Sequence, residues 1–475
     1  MKSRSASDAR PKPADRVGQT VPDDLTGALD SLRSGHVRAV DLFDACARCA
    51  LSDEAARAHV LLDLDGAREA ALQADARIAA GEPSLALDGL AVSIKDLFDV
   101  RGQVTRAGST WLNEGRAAAA DAPAVARLRA AGAALLGRTQ MTEFAFSGVG
   151  LNPHTGTPSN VALARRGLAA RVPGGSTSGG AVSVASGASW AALGSDTGGS
   201  LRIPAALHGL VGFKSSQHLV PLAGSVPLAP SFDTVGAITR SVRDAVTLHE
   251  VLSARRVKLP GRPLRDLRLG WTRRLFLQDL DASVGAAWQR SLDALATAGA
   301  TLVERDLDAL DELPALTDGG GITAAEAWAW HAPHLEAHAD DYDPRVLSRI
   351  LRGQAIVAPR LAALRDRRTA WIARLNAQID GVDVLLAPTV ARAAAPIAAV
   401  QHDTDAFFDL NASLLRHPAV INLFDGCALS LPAPVADHEA PVGLMVWAGR
   451  DADDRLLDAA LAIEACFGDT LARSR

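Results

Sequence analysis

The sequence predicts an α/β fold: one large domain with a mostly parallel, mixed central sheet flanked by helices. Three observations carry that reading. Residues 25–81 are rich in Ala, Leu and Arg, with apolar positions three and four apart, the helical period. GLAVSIKDLFDV then reads as a short buried strand running into a turn, residues 122–131 as a helix, and AALLG as a second strand, a βαβ rhythm. Beyond Ser241 the alternation resumes with DLRLGW, a long helix ending near Ala298, and TLVERDL. A nearly all-helical run over 324–374 and two late strands, VDVLLAPTV and APVGLMVWAG, follow.

Composition narrows the function classes. The 475 residues are 48% hydrophobic and 22% charged, which is enough to bury a large core. A net charge of −5 without a long basic block argues against a nucleic-acid partner. Cys46, Cys49, Cys427 and Cys466 are too few for a disulfide framework. Cys46 and Cys49 form a C-x-x-C in the helix-like DLFDACARCA, and no second pair completes a zinc site, so core filling is the reading. The N-terminal MKSRSASDARPKPADRVGQT has no apolar segment of a secretory signal. It is expected to be a flexible tail over 1–20, with the domain spanning 21–475 and its core motifs within 85–250. The longest charge-free run, 172–195, is too rich in Gly and Ser for a membrane span. A cytoplasmic protein is expected.

Residues 147–180 read as a long loop, and long loops in compact domains are often functional. A small-residue helix is expected over 181–192, then a second Gly-rich turn, LGSDTGGSLRIP. Several stretches imitate better-known motifs. In HGLVGFKSS, Phe213 separates Gly212 from Lys214 and breaks the phosphate-loop pattern. Asp196-Thr197-Gly198 spells the aspartic-protease triplet, yet no second D-[ST]-G supplies the partner carboxylate. His331, His334 and His338 could share a helix face near Glu336, but Pro333 interrupts it, and packed or solvated histidines are expected there rather than a metal site.

The chemistry is concentrated in two loops. PGGSTSGGA holds Gly174, Gly175 and Ser176; GSDTGGSLRIPA ends its turn at Ser200, 24 positions later. Glycine pairs let consecutive amides turn into one cavity, where they can stabilise an oxyanion. Together with Lys95 upstream, these segments resemble the amidase signature family. The resemblance runs from LDGLAVSIKDLFDV through HGLVGFKSS and DTVGAITRSVRDAV, and weakly to PVGLMVWAG. It implies Lys95 as base, Ser176 after a cis peptide as proton relay, and Ser200 as nucleophile. It also implies an oxyanion hole of the Thr197, Gly198, Gly199 and Ser200 amides, supported by Asp196 and Arg202.

The activity implied is hydrolysis of a carboxylic amide to acid plus amine or ammonia through an acyl-enzyme. No cofactor and no metal are expected. The expected partner is a small-molecule amide, with no nucleic acid or membrane, and a homodimer is left open. Two departures from the usual G-G-S-S-G-G-S text stand out: Ser178 where Gly is usual and Gly180 where Ser is usual. The segment GRTQMTEFAFSGVGLNPHTGTP resembles stand-alone amidases, including those of biuret and allophanate hydrolases, more than the catalytic subunit of a glutamine-dependent tRNA amidotransferase, which is the main rival reading. A non-catalytic scaffold of the same fold is the other. Specificity is expected from residues 141–158 and 324–352.

Overall fold

A computed structural model describes residues 22–473; the tail expected over 1–20 lies outside the described residues. Among the described residues eleven strands form one sheet: β1 His59–Leu62, β2 Ala91–Lys95, β3 Ala134–Thr139, β4 Ala191–Asp196, β5 Val211–Lys214, β6 Thr234–Thr239, β7 Arg268–Trp271, β8 Thr301–Glu304, β9 Val384–Pro388, β10 Cys427–Pro432 and β11 Gly443–Ala448. Their order is β1-β3-β2-β4-β6-β5-β10-β11-β9-β7-β8. The α/β class and the mixed, helix-flanked sheet agree with expectation.

The parallel share is smaller than expected. Among the described residues only β2–β3, β2–β4, β7–β8 and β7–β9 pair in parallel, in two flanking groups. The centre, from β4 through β6, β5, β10 and β11 to β9, is antiparallel throughout. Strands β4, β5, β6, β10 and β11 are buried along their whole length, so they show no alternation that would announce a strand.

Two local expectations are corrected. The helix expected over 181–192 is Ser178–Ala185, and Ala191–Asp196 is strand. Gly187, at φ +86°, turns the chain after the helix, and the Ala-rich text that follows is compatible with either state. The helical stretch 25–81 contains three helices, Leu25–Arg33, Ala39–Ala50 and Leu64–Ala79, with the edge strand β1 between the last two. Cys46 is buried on the second of these helices.

Strands β2 and β4 are adjacent and parallel, with Ile94 opposite Leu193. Their C-terminal ends therefore emerge side by side, where ligands bind in open α/β sheets. Lys95 ends β2, and Ser195 and Asp196 end β4.

Candidate active site

Lys95 Nζ lies 2.8 Å from Ser176 Oγ and 2.8 Å from Ser195 Oγ, with all three groups inside the protein. Burial pushes the Lys95 ammonium down to about 7, against the opposing fields of Asp196 and Asp233. Ser195 is a member of the site that sequence reasoning misses. The parallel register of β2 and β4 brings it to Lys95, and a strand pairing between residues a hundred positions apart leaves no local signal.

The peptide Gly175–Ser176 is cis. The loop around it is fixed by backbone bonds: Gly175 N–H donates to Gly148 O (2.8 Å), Thr142 N–H to Ser176 O (3.2 Å) and Thr177 N–H to Ser200 O (3.3 Å). Gly174 has φ +75°, and a Cβ there would lie 2.9 Å from Pro204 Cα; one on Gly175 would lie 2.8 Å from Gly150 N. Two chain segments thus touch backbone to backbone, which only glycine permits.

Asp196 accepts a forked pair of bonds from Arg202 (Nε to Oδ2, 3.0 Å; Nη2 to Oδ1, 2.8 Å), both side chains fully buried. Asn422 completes the set, donating to Asp196 Oδ1 (3.0 Å) and accepting from Arg202 Nη2 (2.7 Å). Burial alone would raise the Asp196 carboxyl, but Arg202 and Asn422 hold it well below the usual carboxylate range. Its oxygens in turn accept from the amides of Gly199 (2.8 Å) and Leu201 (3.2 Å), shaping the turn that carries Ser200.

That turn corrects one expectation. The Gly199 amide faces Asp196 and so is not available to an oxyanion. Among the described residues no hydrogen bond engages the amides of Thr197, Gly198 or Ser200. Thr197 Oγ1 donates to Asp233 Oδ1 (2.5 Å), which fixes the first of them.

A cavity of about 840 Å³ opens over this turn, within the usual range for small-molecule sites. Thr197, Gly198 and Ser200 line it, whereas Lys95 and Ser176 do not. Ser200 retains 4% exposure, and Lys95 and Ser176 none. No hydrogen bond joins Ser200 Oγ to Ser176 Oγ among the described residues. The segments expected to set specificity both reach the cavity, through Ala145, Phe146 and Ser147 on one side and Ala324, Arg349 and Arg352 on the other.

The histidines singled out from the sequence pack into an aromatic cluster. His331 meets Tyr342 Oη through Nδ1 (2.9 Å), and His334 and His338 lie against Trp111 at ring-centre distances of 5.1 and 4.8 Å. Among the described residues no group of three His, Cys, Asp or Glu could hold a metal ion, and no helix is long and apolar enough to cross a membrane.

The amidase family model matches residues 42–457. A 2-amino-5-chloromuconic acid deaminase from Comamonas testosteroni is 37% identical over 445 residues, covering 92% of this chain and 94% of that one. One component of a glutamyl-tRNA(Gln) amidotransferase from Acidothermus cellulolyticus is 31% identical over 472 residues, covering 90% of each chain. A crystal structure described as an amidase superposes with a TM-score of 0.82 at 32% identity, over 93% of this chain and 99% of that one. The chain belongs to the amidase family. It is an amide-hydrolysing enzyme, and its family acts on small-molecule amides.

Proposed function

We propose that hydrolysis proceeds through a Ser200–Ser176–Lys95 relay and an acyl-enzyme on Ser200. The observation that carries this reading is the division of exposure: Ser200 lines the cavity, while Ser176 and Lys95 lie behind it, 2.8 Å apart. Neutral Lys95 donates to Ser195 Oγ and accepts the Ser176 proton, and Ser176 takes the Ser200 proton as Ser200 Oγ attacks the amide carbonyl. The link between the two serines forms as substrate settles, since catalytic hydrogen bonds often tighten only in the bound complex. The amides of Thr197, Gly198 and Ser200 hold the oxyanion. The relay then returns its proton to the leaving nitrogen, the C–N bond breaks, and water releases the acid from Ser200. Asp196, Arg202 and Asn422 keep the turn in shape.

By its name the deaminase relative removes an amino group from 2-amino-5-chloromuconic acid, so C–N cleavage in an amino-substituted acid is a second reading favoured by that 37% identity. A serine-reactive fluorophosphonate, with the labelled peptide read by mass spectrometry, tests the roles. Label on Ser200, blocked by an amide substrate, is the expected result; label on Ser176 would reverse the assignment.

A further inference from the structure

Asp233, the residue before β6, is a buried carboxylate that no cation meets. Its oxygens are filled by neutral donors instead. Oδ1 accepts from Thr197 Oγ1 (2.5 Å) and from the Ala229 amide (3.2 Å). Oδ2 accepts from the amides of Leu228 (3.0 Å) and Ala229 (3.2 Å). Asp196, equally buried, has Arg202 beside it at 2.8 Å; among the described residues no ion pair reaches Asp233. An unpaired charge is costly to bury. Burial pushes the Asp233 carboxyl up, and the donors of Thr197, Ala229 and Leu228 oppose that rise. Only a carboxylate accepts on both oxygens; an asparagine would turn an N–H₂ group toward one set of donors.

Two parts of the cavity hang on this one group. Thr197 begins the turn that carries Gly198 and Ser200 along the cavity floor. Leu228 and Phe232 form part of its apolar wall. The wall segment is closed on itself, since the amides of Phe232 (2.8 Å) and Asp233 (2.9 Å) both donate to Ala229 O. Its outer side is tied to Glu326, which accepts from Ser231 N–H (2.9 Å) and Ser231 Oγ (2.5 Å). The Arg368 guanidinium lies 4.8 Å over the Phe232 ring. A shift of the wall is therefore passed to Asp233, and from Asp233 to Thr197, 36 positions away in the chain.

We propose that Asp233 is a positioning residue that couples the acyl pocket to the oxyanion hole, so that the fit of the acyl chain against Leu228 and Phe232 is expressed in the rate of the chemical step. This rests on the reading of Ser200 as nucleophile and of the Thr197 amide as an oxyanion donor. An acyl chain that fills the wall holds Leu228 and Phe232 in register, and through Asp233 it holds the Thr197 amide at the developing oxyanion. A short chain leaves the wall unfilled and the donor less well aimed. Remote binding energy then appears in kcat rather than in KM alone.

The test uses n-alkyl fluorophosphonates with methyl, butyl and octyl chains. The alkyl group stands for the acyl chain and the P=O oxygen for the oxyanion. The Ser200 Oγ–P bond forms, the P–F bond breaks, fluoride leaves, and the hydroxyl proton passes to the relay. The maximal labelling rate, kinact, and the half-saturating concentration, KI, separate the chemical step from binding, as kcat and KM do. In wild type kinact should rise by about tenfold from methyl to octyl. In Thr197→Val, which keeps the side chain's shape and removes its bond to Asp233, kinact should be lower and should vary by about twofold or less, while KI still falls with chain length. Thr197→Ser keeps the hydroxyl and should restore the rise. Asp233→Asn supplies a second, independent variant and should flatten kinact likewise. Rates refer to the fraction that labels, so partial misfolding does not enter them. A wild-type kinact that ignored chain length would overturn the proposal. So would a rise that persisted in Thr197→Val or in Asp233→Asn, or one lost in Thr197→Ser as well, which would trace it to the methyl. Label found on Ser176 by peptide mass would instead sink the Ser200 reading.

Discussion

Lys95 and Lys214 are both fully buried at the ends of strands in the same sheet, and they differ in one respect. Lys95 Nζ lies against two hydroxyls, those of Ser176 and Ser195. Lys214 Nζ donates to two carbonyls, Ser215 O (3.0 Å) and Gly426 O (2.5 Å). Burial pushes both down, to about 7 for Lys95 and about 8 for Lys214. A hydroxyl can hand a proton to an amine, and a carbonyl has none to give. Burial therefore brings a lysine close to neutrality, but its partners decide whether it can act as a base. On the proposed reading the hydroxyls around Lys95 move a proton, whereas the carbonyls around Lys214 tie β5 to the loop before β10.

The largest effect is expected at the catalytic end of this pair. Ser200→Ala should lower kcat by about 10⁴-fold or more, in line with removal of a serine nucleophile elsewhere, while the melting temperature stays close to wild type. A variant retaining a tenth of the activity would remove Ser200 from the mechanism, and the reading of Lys95 with it.

Next come the two lysines themselves. Lys95→Arg should be nearly inactive, at about a thousandth of wild type or below, because a guanidinium stays protonated at any working pH. Lys214→Arg keeps the charge and adds bulk, so it should lose about 1–3 kcal/mol of stability to overpacking, read as a lower melting temperature, while its folded fraction stays active. In wild type, kcat/KM should rise with pH through about 7 and level off above it: below that pH Lys95 is an ammonium and cannot accept the Ser176 proton. Equal activity losses in the two Arg variants would erase the distinction between the two lysines.

Asp196 lies electrostatically between the two lysines, favouring the charged form of each. Removing its charge in Asp196→Asn should shift the acidic limb of the pH–rate profile to lower pH, since the Lys95 ammonium loses a stabilising anion. It should also cost about 3–5 kcal/mol of stability, because Arg202 is left buried without its partner. A limb that moved to higher pH would contradict the electrostatic account.

The sequence exposes these regions unevenly. Lys95, Ser176 and Ser200 sit in short local texts that carry the family resemblance, so each can be picked out from its own segment. Ser195 becomes a partner of Lys95 only through the β2–β4 register. Asn422 reaches Asp196 across 226 positions, and a lone Asn near a helix end carries no mark of it. Lys214 stands out in the sequence only as part of a failed phosphate loop, since a lysine at a strand end does not announce its burial. The antiparallel centre of the sheet is hidden for a related reason: fully buried strands built from Ala, Gly and Val lack the period of two.

The smallest effect concerns how tightly the Lys95 region is packed. Gly180 stands where Ser is usual, and a Cβ there would lie 2.8 Å from Thr177 Cγ2 and 3.1 Å from Ala192 Cβ. Gly194 on β4 is crowded by the same methyl, at 2.7 Å. Thr177 itself occupies the second Ser of the usual G-G-S-S-G-G-S text, so its extra methyl fills the space that a serine side chain at position 180 would need. Thr177 and Gly180 thus form one compensated exchange. Gly180→Ser alone should lower stability by about 1–3 kcal/mol, the usual scale for an overpacked core, and should loosen the Ser176 loop enough to reduce kcat. Adding Thr177→Ser removes the methyl and should restore most of both, an interaction expected of residues in contact. Thermal melts and kcat for the two single variants and the double variant measure the coupling. If the losses simply add, Thr177 and Gly180 are independent, and the tight packing behind Lys95 does not depend on their pairing.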